Sequence, residues 1–149
     1  MNKEQLNQEA VNLVKNLDEH GYFTDLQNID TEMSQNQDPF NKRFYLSEQD
    51  KINEINGELI NAYYKLKAEL KVYIAVRKAQ IRIENEMKKE KTPGNEILES
   101  LVQSEIPELY KSVIILEGWV ERADSSLKTA RNHTYGDKEF PDKEVKKEE

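Results

Sequence analysis

The chain has 149 residues and a formal net charge of −7; 34% of its residues are charged and 36% are hydrophobic. It contains no cysteine, which excludes disulfides, thiolate metal ligands and cysteine nucleophiles, and only two histidines are present for imidazole chemistry. Five glycines and four prolines are few for this length, which argues against a turn-rich β fold.

No apolar segment approaches the roughly 18 residues that a membrane span requires. The first residues are amphipathic and acidic, unlike the basic and then apolar pattern of a secretory signal. We therefore expect a cytoplasmic protein without membrane contact, in a bacterium or in one infected by a phage.

The N-terminal region is predicted to contain two helices. Gly21 would end the first helix, residues 1–20, in a left-handed conformation. Thr24 and Gln27 resemble a capping box, which predicts a short second helix starting there. The polar residues 34–39 end in a proline and are predicted to be a linker. The stripe of the first helix has the 3.6-residue helical period and consists of Leu6, Ala10, Leu13, Val14 and Leu17.

A long helix is predicted over residues 48–91, with Ser47 as its N-cap, because no proline follows until Pro93. Arg77 interrupts its apolar stripe and is expected to reach solvent, to pair with a glutamate of a facing helix, or to set an oligomer's register. A long helix with two apolar edges usually meets more than one partner helix. The first stripe follows an eleven-residue repeat and consists of Ile52, Ile55, Leu59, Tyr63, Leu66, Leu70, Ile74, Arg77 and Ile81. The second, weaker stripe consists of Ile60, Val72, Val76 and Ile83.

The residues Thr92 to Asn95 are predicted to form a turn, in which Gly94 adopts a positive φ and Asn95 caps the next helix. A short helix follows, and residues 104–107 are expected to restart or kink it, because proline is tolerated in the first turn of a helix but not in its middle. This last helix carries almost four heptads of apolar residues, a coiled-coil signal: Ile106, Leu109, Val113, Leu116, Val120, Ala123, Leu127 and Ala130.

These elements predict an all-α fold with a long, antiparallel, coiled-coil-like helical hairpin over residues 47–132. Residues 1–46 would form an N-terminal helical segment and linker, and residues 133–149 a disordered, charged tail. A lone hairpin leaves apolar surface on its outer faces, so we expect a homo-oligomer. The predicted oligomer or partner interface consists of Ile106, Leu109, Val113, Leu116, Trp119, Val120 and Leu127.

Gly118 lies inside a predicted helix, where glycine costs about 1 kcal/mol relative to alanine. We therefore expect Gly118 to allow a facing backbone to approach closely, with Trp119 filling the groove beside it, opposite residues 66–70. Trp119 would then be either a core residue or a hot spot for partner binding.

The charge is unevenly distributed, because residues 65–91 carry +5 while the rest of the chain carries −12. Basic side chains interleaved with tyrosines can follow a phosphate backbone while bases stack on the rings. Alternatively, the same cations form a solvated helix face and neutralise acidic neighbours, an interpretation that the overall acidity favours. The candidate nucleic-acid contacts are Lys65, Lys67, Lys71, Tyr73, Arg77, Lys78 and Arg82.

The layout resembles that of small phage recombination-mediator proteins. The resemblance rests on the helical arrangement, the run Ala62-Tyr-Tyr-Lys-Leu-Lys67 and the late heptad helix. It implies a helical, oligomeric protein that binds single-stranded DNA, and no residue role is transferred from it.

The sequence thus favours a non-enzymatic, oligomeric assembly or adaptor protein that acts through protein–protein contacts. The alternatives are a DNA-binding accessory protein that uses residues 65–91 and a small acidic inhibitor, encoded by a phage, that docks on a host enzyme. We expect no catalytic residue, metal ligand or cofactor, because neither histidine has a glutamate three residues before it and no phosphate-binding glycine loop is present.

Overall fold

The computed structural model describes the backbone of residues 2–148 and the side chains of residues 2–134, and this part of the chain forms five α-helices without a strand. The all-α fold predicted from the sequence is confirmed. No helix in these residues is long and apolar enough to cross a membrane. The helices are α1 (Lys3–Glu19), α2 (Tyr22–Gln35), α3 (Lys42–Met87), α4 (Asn95–Gln103) and α5 (Pro107–Glu148).

Gly21 joins α1 to α2 in the left-handed conformation that the sequence predicted, with a φ of 83°. Its amide donates to the carbonyl of Asp18 at 2.9 Å, and its own carbonyl accepts from the amide of Asp25 at 2.7 Å. The predicted capping box at Thr24 is wrong, because Gly21 itself is the N-cap and Thr24 lies in the first turn of α2. One glycine therefore ends the first helix and begins the second.

The long helix α3 begins at Lys42, so the predicted N-cap at Ser47 is wrong. Asn41 supplies the cap, because its side-chain oxygen accepts a hydrogen bond from the amide of Phe44 at 3.2 Å. The earlier start adds a further turn to α3, and Tyr45 in this turn is only 1% exposed.

The helix α3 ends at Met87, before the predicted residue 91, because Lys89 adopts a left-handed φ of 57°. Gly94 does not have the predicted positive φ; its φ is −58° and its ψ is 157°. The residue after it, Asn95, is the first residue of α4 instead of its cap. Pro107 begins α5, as the sequence predicted.

The chain packs into two compact units. Unit 1 comprises Met1–Asn16 and Asn61–Glu117, and unit 2 comprises Leu17–Ile60 and Gly118–Glu149. Each unit contains parts of α1, α3 and α5; α4 belongs to unit 1 and α2 to unit 2.

In each unit, the first stripe of α3 and the heptad residues of α5 supply much of the core. The buried residues of α3 include Ile52, Ile55, Leu59, Tyr63, Leu66, Leu70 and Ile74. The buried residues of α5 include Leu109, Val113, Leu116, Ala123, Leu127 and Ala130. The first stripe of α3 and the heptad residues of α5 therefore pack within the chain itself.

In unit 2, Trp119 stacks on Phe23 of α2, with ring centroids 4.5 Å apart and an interplanar angle of 21°. The Arg122 guanidinium lies 5.3 Å from the centroid of the Trp119 ring. The sequence predicted neighbours at residues 66–70 for Trp119 and missed Phe23. The predicted role of Gly118 is wrong, because a Cβ at this position would have no neighbouring atom within 4 Å.

The first two residues of the predicted tail pack in unit 2. The His133 ring stacks on Tyr45 with centroids 4.0 Å apart. The Thr134 hydroxyl accepts a hydrogen bond from the Gln49 side chain at 2.9 Å, and Thr134 is 3% exposed. The side chains of the rest of the predicted disordered tail lie outside the described residues.

We expect opposite effects on the free energy of unfolding when Gly21 and Gly118 are replaced by alanine. Gly21→Ala should lower the free energy of unfolding by about 1–2 kcal/mol, because alanine is strained at a left-handed φ. Gly118→Ala should raise it by about 0.5–1 kcal/mol, because the site is helical and has space for a methyl group. Urea unfolding of both variants checks the prediction; a destabilised Gly118→Ala would contradict the open site.

Candidate functional site

One face of α3 in unit 1 carries a row of exposed apolar side chains. Tyr64 is 60% exposed, Val72 63%, Val76 52%, Ile83 57% and Met87 80%. On the opposite side of the same helix segment, the first stripe is buried. The sequence predicted that the second stripe meets a partner helix, and within the described residues this stripe is uncovered from Val72 to Ile83.

Small and charged residues complete this face. Ala68, Ala75 and Ala79 are exposed between the large apolar residues, and Lys65 and Glu86 are exposed near its two ends. Because alanine has the highest helix propensity, it keeps the helix regular without adding bulk. We call these ten residues the outer face of α3: Tyr64, Lys65, Ala68, Val72, Ala75, Val76, Ala79, Ile83, Glu86 and Met87.

A groove with a volume of about 450 Å³ lies beside the outer face, where α1 contributes Leu6. Glu69 also lines this groove, and its Oε2 atom is buried without a hydrogen-bond partner among the described residues. Burial, together with the neighbouring Glu9 carboxylate, raises the pKa of Glu69. The groove walls contributed by α3 are otherwise mainly apolar, and they include Ala68, Val72, Tyr73 and Val76.

Two of the candidate nucleic-acid contacts, Tyr73 and Arg77, bind the carboxylate of Glu105 instead. The Tyr73 hydroxyl donates to Glu105 Oε1 at 2.7 Å, and Arg77 Nε donates to the same atom at 3.0 Å. Burial and the hydrogen bond to Glu105 raise the pKa of Tyr73 to about 12. Arg77 therefore pairs with a glutamate, one of the three roles that the sequence left open.

Asn7 of α1 binds the connection between α4 and α5, in which Glu105 lies. Asn7 of α1 accepts a hydrogen bond from the amide of Leu109 at 3.1 Å, and its side-chain nitrogen donates to the Glu105 carbonyl at 3.5 Å. Asn7 thus satisfies one of the free amides at the start of α5. This polar cluster fixes the connection between α4 and α5 in unit 1.

The other basic candidates point in several directions. Lys65 Nζ lies 2.8 Å from Glu9 of α1, and Lys78 Nζ lies 3.9 Å from Glu99 of α4. Lys67 Nζ lies 5.2 Å from the centroid of the Tyr63 ring, and Arg82 donates to the side chain of Asn95 at 3.3 Å. Lys71 is exposed. The structure therefore directs these side chains towards different elements of unit 1.

The predicted interface on α5 is largely buried within the chain. Ile106, Leu109 and Leu116 are fully buried, and Val113 and Leu127 are nearly so. Trp119 and Val120 are partly exposed. Tyr64 and Met87 are exposed apolar residues outside the predicted interface, and they continue the second stripe at four-residue spacings.

Glu48 is a buried carboxylate in unit 2, with a side chain only 2% exposed. Its Oε1 atom lies 3.1 Å from Lys51 Nζ, and its Oε2 atom has no hydrogen-bond partner among the described residues. Burial raises the pKa of Glu48, Lys51 opposes this shift, and the carboxylate of Glu32 adds to it. A charged Glu48 is therefore destabilising in the folded state.

In the part of the chain that the structure describes, no group of three or more histidine, aspartate or glutamate side chains is arranged to hold a metal ion. No protein-family model, curated protein or solved structure matches this chain.

We expect Glu105→Gln to lower the free energy of unfolding at pH 7 by about 1–2 kcal/mol, because hydrogen bonds to a charged group are lost. Burial raises the pKa of Glu105, but Tyr73 and Arg77 outweigh it, and the net pKa lies below the ordinary 4.5. A depressed pKa stabilises the fold above pH 4.5, and this stabilisation disappears as the pH falls through the folded-state pKa. The difference from wild type should therefore shrink towards pH 3 in urea unfolding experiments.

Glu48→Gln should have the opposite effect and raise the free energy of unfolding at pH 7 by roughly 1 kcal/mol. The raised pKa of Glu48 favours the folded state below the ordinary value of 4.5, and this contribution is lost as the pH rises through the folded-state pKa. The advantage of the variant should consequently vanish near pH 4.

The exposed Glu54 is the matched control for both substitutions, because Glu54→Gln removes the same charge from the surface of α3. It should change the free energy of unfolding by less than about 0.5 kcal/mol at either pH. The assigned environments would be contradicted if Glu48→Gln and Glu105→Gln changed the free energy of unfolding in the same direction at each pH.

Proposed function

We propose that the protein is a non-enzymatic assembly or adaptor protein that acts through protein–protein contacts made by the outer face of α3. The observation that carries this proposal is the row of five large apolar side chains, each at least half exposed, on one face of a regular helix. Single exposed apolar residues are normal on protein surfaces, whereas contiguous apolar patches mark interaction sites.

The energy available from this row favours a partner that also presents an apolar face. Complete burial of a large apolar side chain contributes about 1.5–3 kcal/mol, so these half-exposed side chains have about 1 kcal/mol each left to gain. Five of them give about 5 kcal/mol, near the lower limit of the roughly 4–15 kcal/mol that association costs. A partner with an equal apolar face doubles this gain, which favours a second copy of the chain as the partner.

The contacts of the basic segment support this proposal over nucleic-acid binding. Lys65, Arg77 and Lys78 lie next to carboxylates of the same chain. Cations that already face carboxylates release fewer counterions on binding to a phosphate backbone. These ion pairs favour the interpretation in which the basic segment neutralises acidic neighbours.

We expect Val76→Gln combined with Ile83→Gln to reduce self-association, because both substitutions remove apolar surface from the outer face while glutamine preserves helix propensity. In sedimentation velocity at micromolar concentrations, wild type should have a mass above the 17.5 kDa of one chain, and the double variant should approach the monomer mass.

The control is Ile97→Gln combined with Ile114→Gln, which removes two aliphatic residues of unit 1, 62% and 50% exposed, that lie on α4 and α5. This variant should retain the wild-type mass, and circular dichroism should show the same helix content for all three proteins. A wild-type protein that is monomeric over the whole micromolar range would refute self-assembly.

A further inference from the structure

The outer face of α3 is complementary to itself when a second copy is placed against it in the opposite direction. We infer that two copies pair through this face, antiparallel, about a two-fold axis between residues 75 and 76. This inference rests on the proposed function and specifies the partner and its register. A two-fold interface must be self-complementary, because the same surface supplies both sides.

The charges of the outer face support the antiparallel direction. Lys65 lies near one end and Glu86 near the other, and the two charged residues between them at the edges of this face, Glu69 and Arg82, also lie equally far from the axis. Each residue faces the one that lies equally far on the other side of the axis, so Lys65 of each copy faces Glu86 of the other. A parallel pair would place like charges opposite each other. The Lys65 side chain is still 55% exposed beside Glu9, so it remains accessible to the second copy.

The sizes of the apolar residues agree with the same register. Ile83 faces Ala68 of the second copy, Val72 faces Ala79, and Val76 faces Ala75. In each case a large side chain meets an alanine, the alternation that lets two helices interdigitate at close distance. The three alanines thus receive the three aliphatic side chains of the other copy.

The ends of the face pair in the same register, but there two large side chains meet. Tyr64 faces Met87 of the second copy, and a methionine sulfur makes favourable contacts with an aromatic ring. At about 100° per residue, all ten residues of the outer face lie within about 70° of one line along the helix. The five facing pairs therefore belong to a single seam.

The groove beside α1 adjoins this seam and shares Ala68, Val72 and Val76 with it. Ala68 is one of its lining residues, and Ile83 of the second copy is placed opposite Ala68. The groove volume of about 450 Å³ leaves space for this side chain next to Leu6. The proposed contact therefore extends from α3 onto the first turns of α1.

Single cysteines test the register directly, because the natural chain has none. In the proposed dimer, residue 68 of one copy faces residue 83 of the other, whereas the two copies of residue 68 are separated by about 22 Å along the seam at 1.5 Å per residue. A disulfide requires Cα atoms within about 7 Å. The experiment mixes Ala68→Cys, carrying a size tag, with untagged Ile83→Cys and oxidises the mixture mildly.

The mixture should give a disulfide-linked heterodimer, in at least about tenfold excess over the homodimers that either variant forms alone. Efficient cross-linking of each variant with itself would show a parallel arrangement and overturn the inference. An oligomeric wild type in sedimentation without cross-linking in the mixture would also overturn it, while leaving self-assembly intact. A monomeric wild type would refute the proposed function itself.

A charge exchange supplies a second readout that does not remove apolar surface. Lys65→Glu and Glu86→Lys should each weaken the dimer in sedimentation, because each places like charges opposite each other. The double variant, Lys65→Glu with Glu86→Lys, should recover wild-type association, although it lacks the ion pair between residue 65 and Glu9. Failure of the double variant to recover, with helix content unchanged, would contradict the register.

Discussion

The length of α3 is the constraint on which the rest of the structure depends. Its 46 residues carry apolar side chains on two faces, which the same neighbouring helix cannot cover. In each unit, parts of α1 and α5 pack with α3, together with α2 in unit 2 and α4 in unit 1. These elements bury the first stripe. Among the described residues of unit 1 no further helix lies over the outer face, which is why the proposed partner is a second copy of the chain.

The interruption of the first stripe at Arg77 is explained by the element that packs against it. In unit 1, Arg77 faces Glu105, which lies in the short connection between α4 and α5. A helix break exposes amides and carbonyls that require polar partners, and the side chain of Asn7 binds one amide and one carbonyl here, while Tyr73 binds the Glu105 carboxylate. An apolar residue at position 77 would leave the Glu105 carboxylate without its cation. The polar cluster thus replaces apolar packing where the neighbouring helix is interrupted.

The sequence predicted the all-α fold, Gly21 as the end of α1 and Pro107 as the start of α5. It misplaced the ends of α3, because Asn41 and Ser47 are equally acceptable caps and only packing selects between them. The second stripe was visible in Val72, Val76 and Ile83. The interface predicted on α5 consists mostly of residues that the chain itself buries, because periodicity shows that a stripe will be buried but not whether the same chain buries it.

Electrostatics alone does not hold the proposed pair together. Each chain carries a net charge of −7, so two copies repel each other at long range, and low salt strengthens this repulsion. The Lys65–Glu86 contacts are exposed ion pairs, worth about 0–1 kcal/mol each. Burial of apolar surface must therefore supply most of the affinity, while the two charges select the antiparallel direction. We therefore expect the proposed pair to be specific for the reversed copy of the same face, because another apolar helix gains the burial without the matching ends.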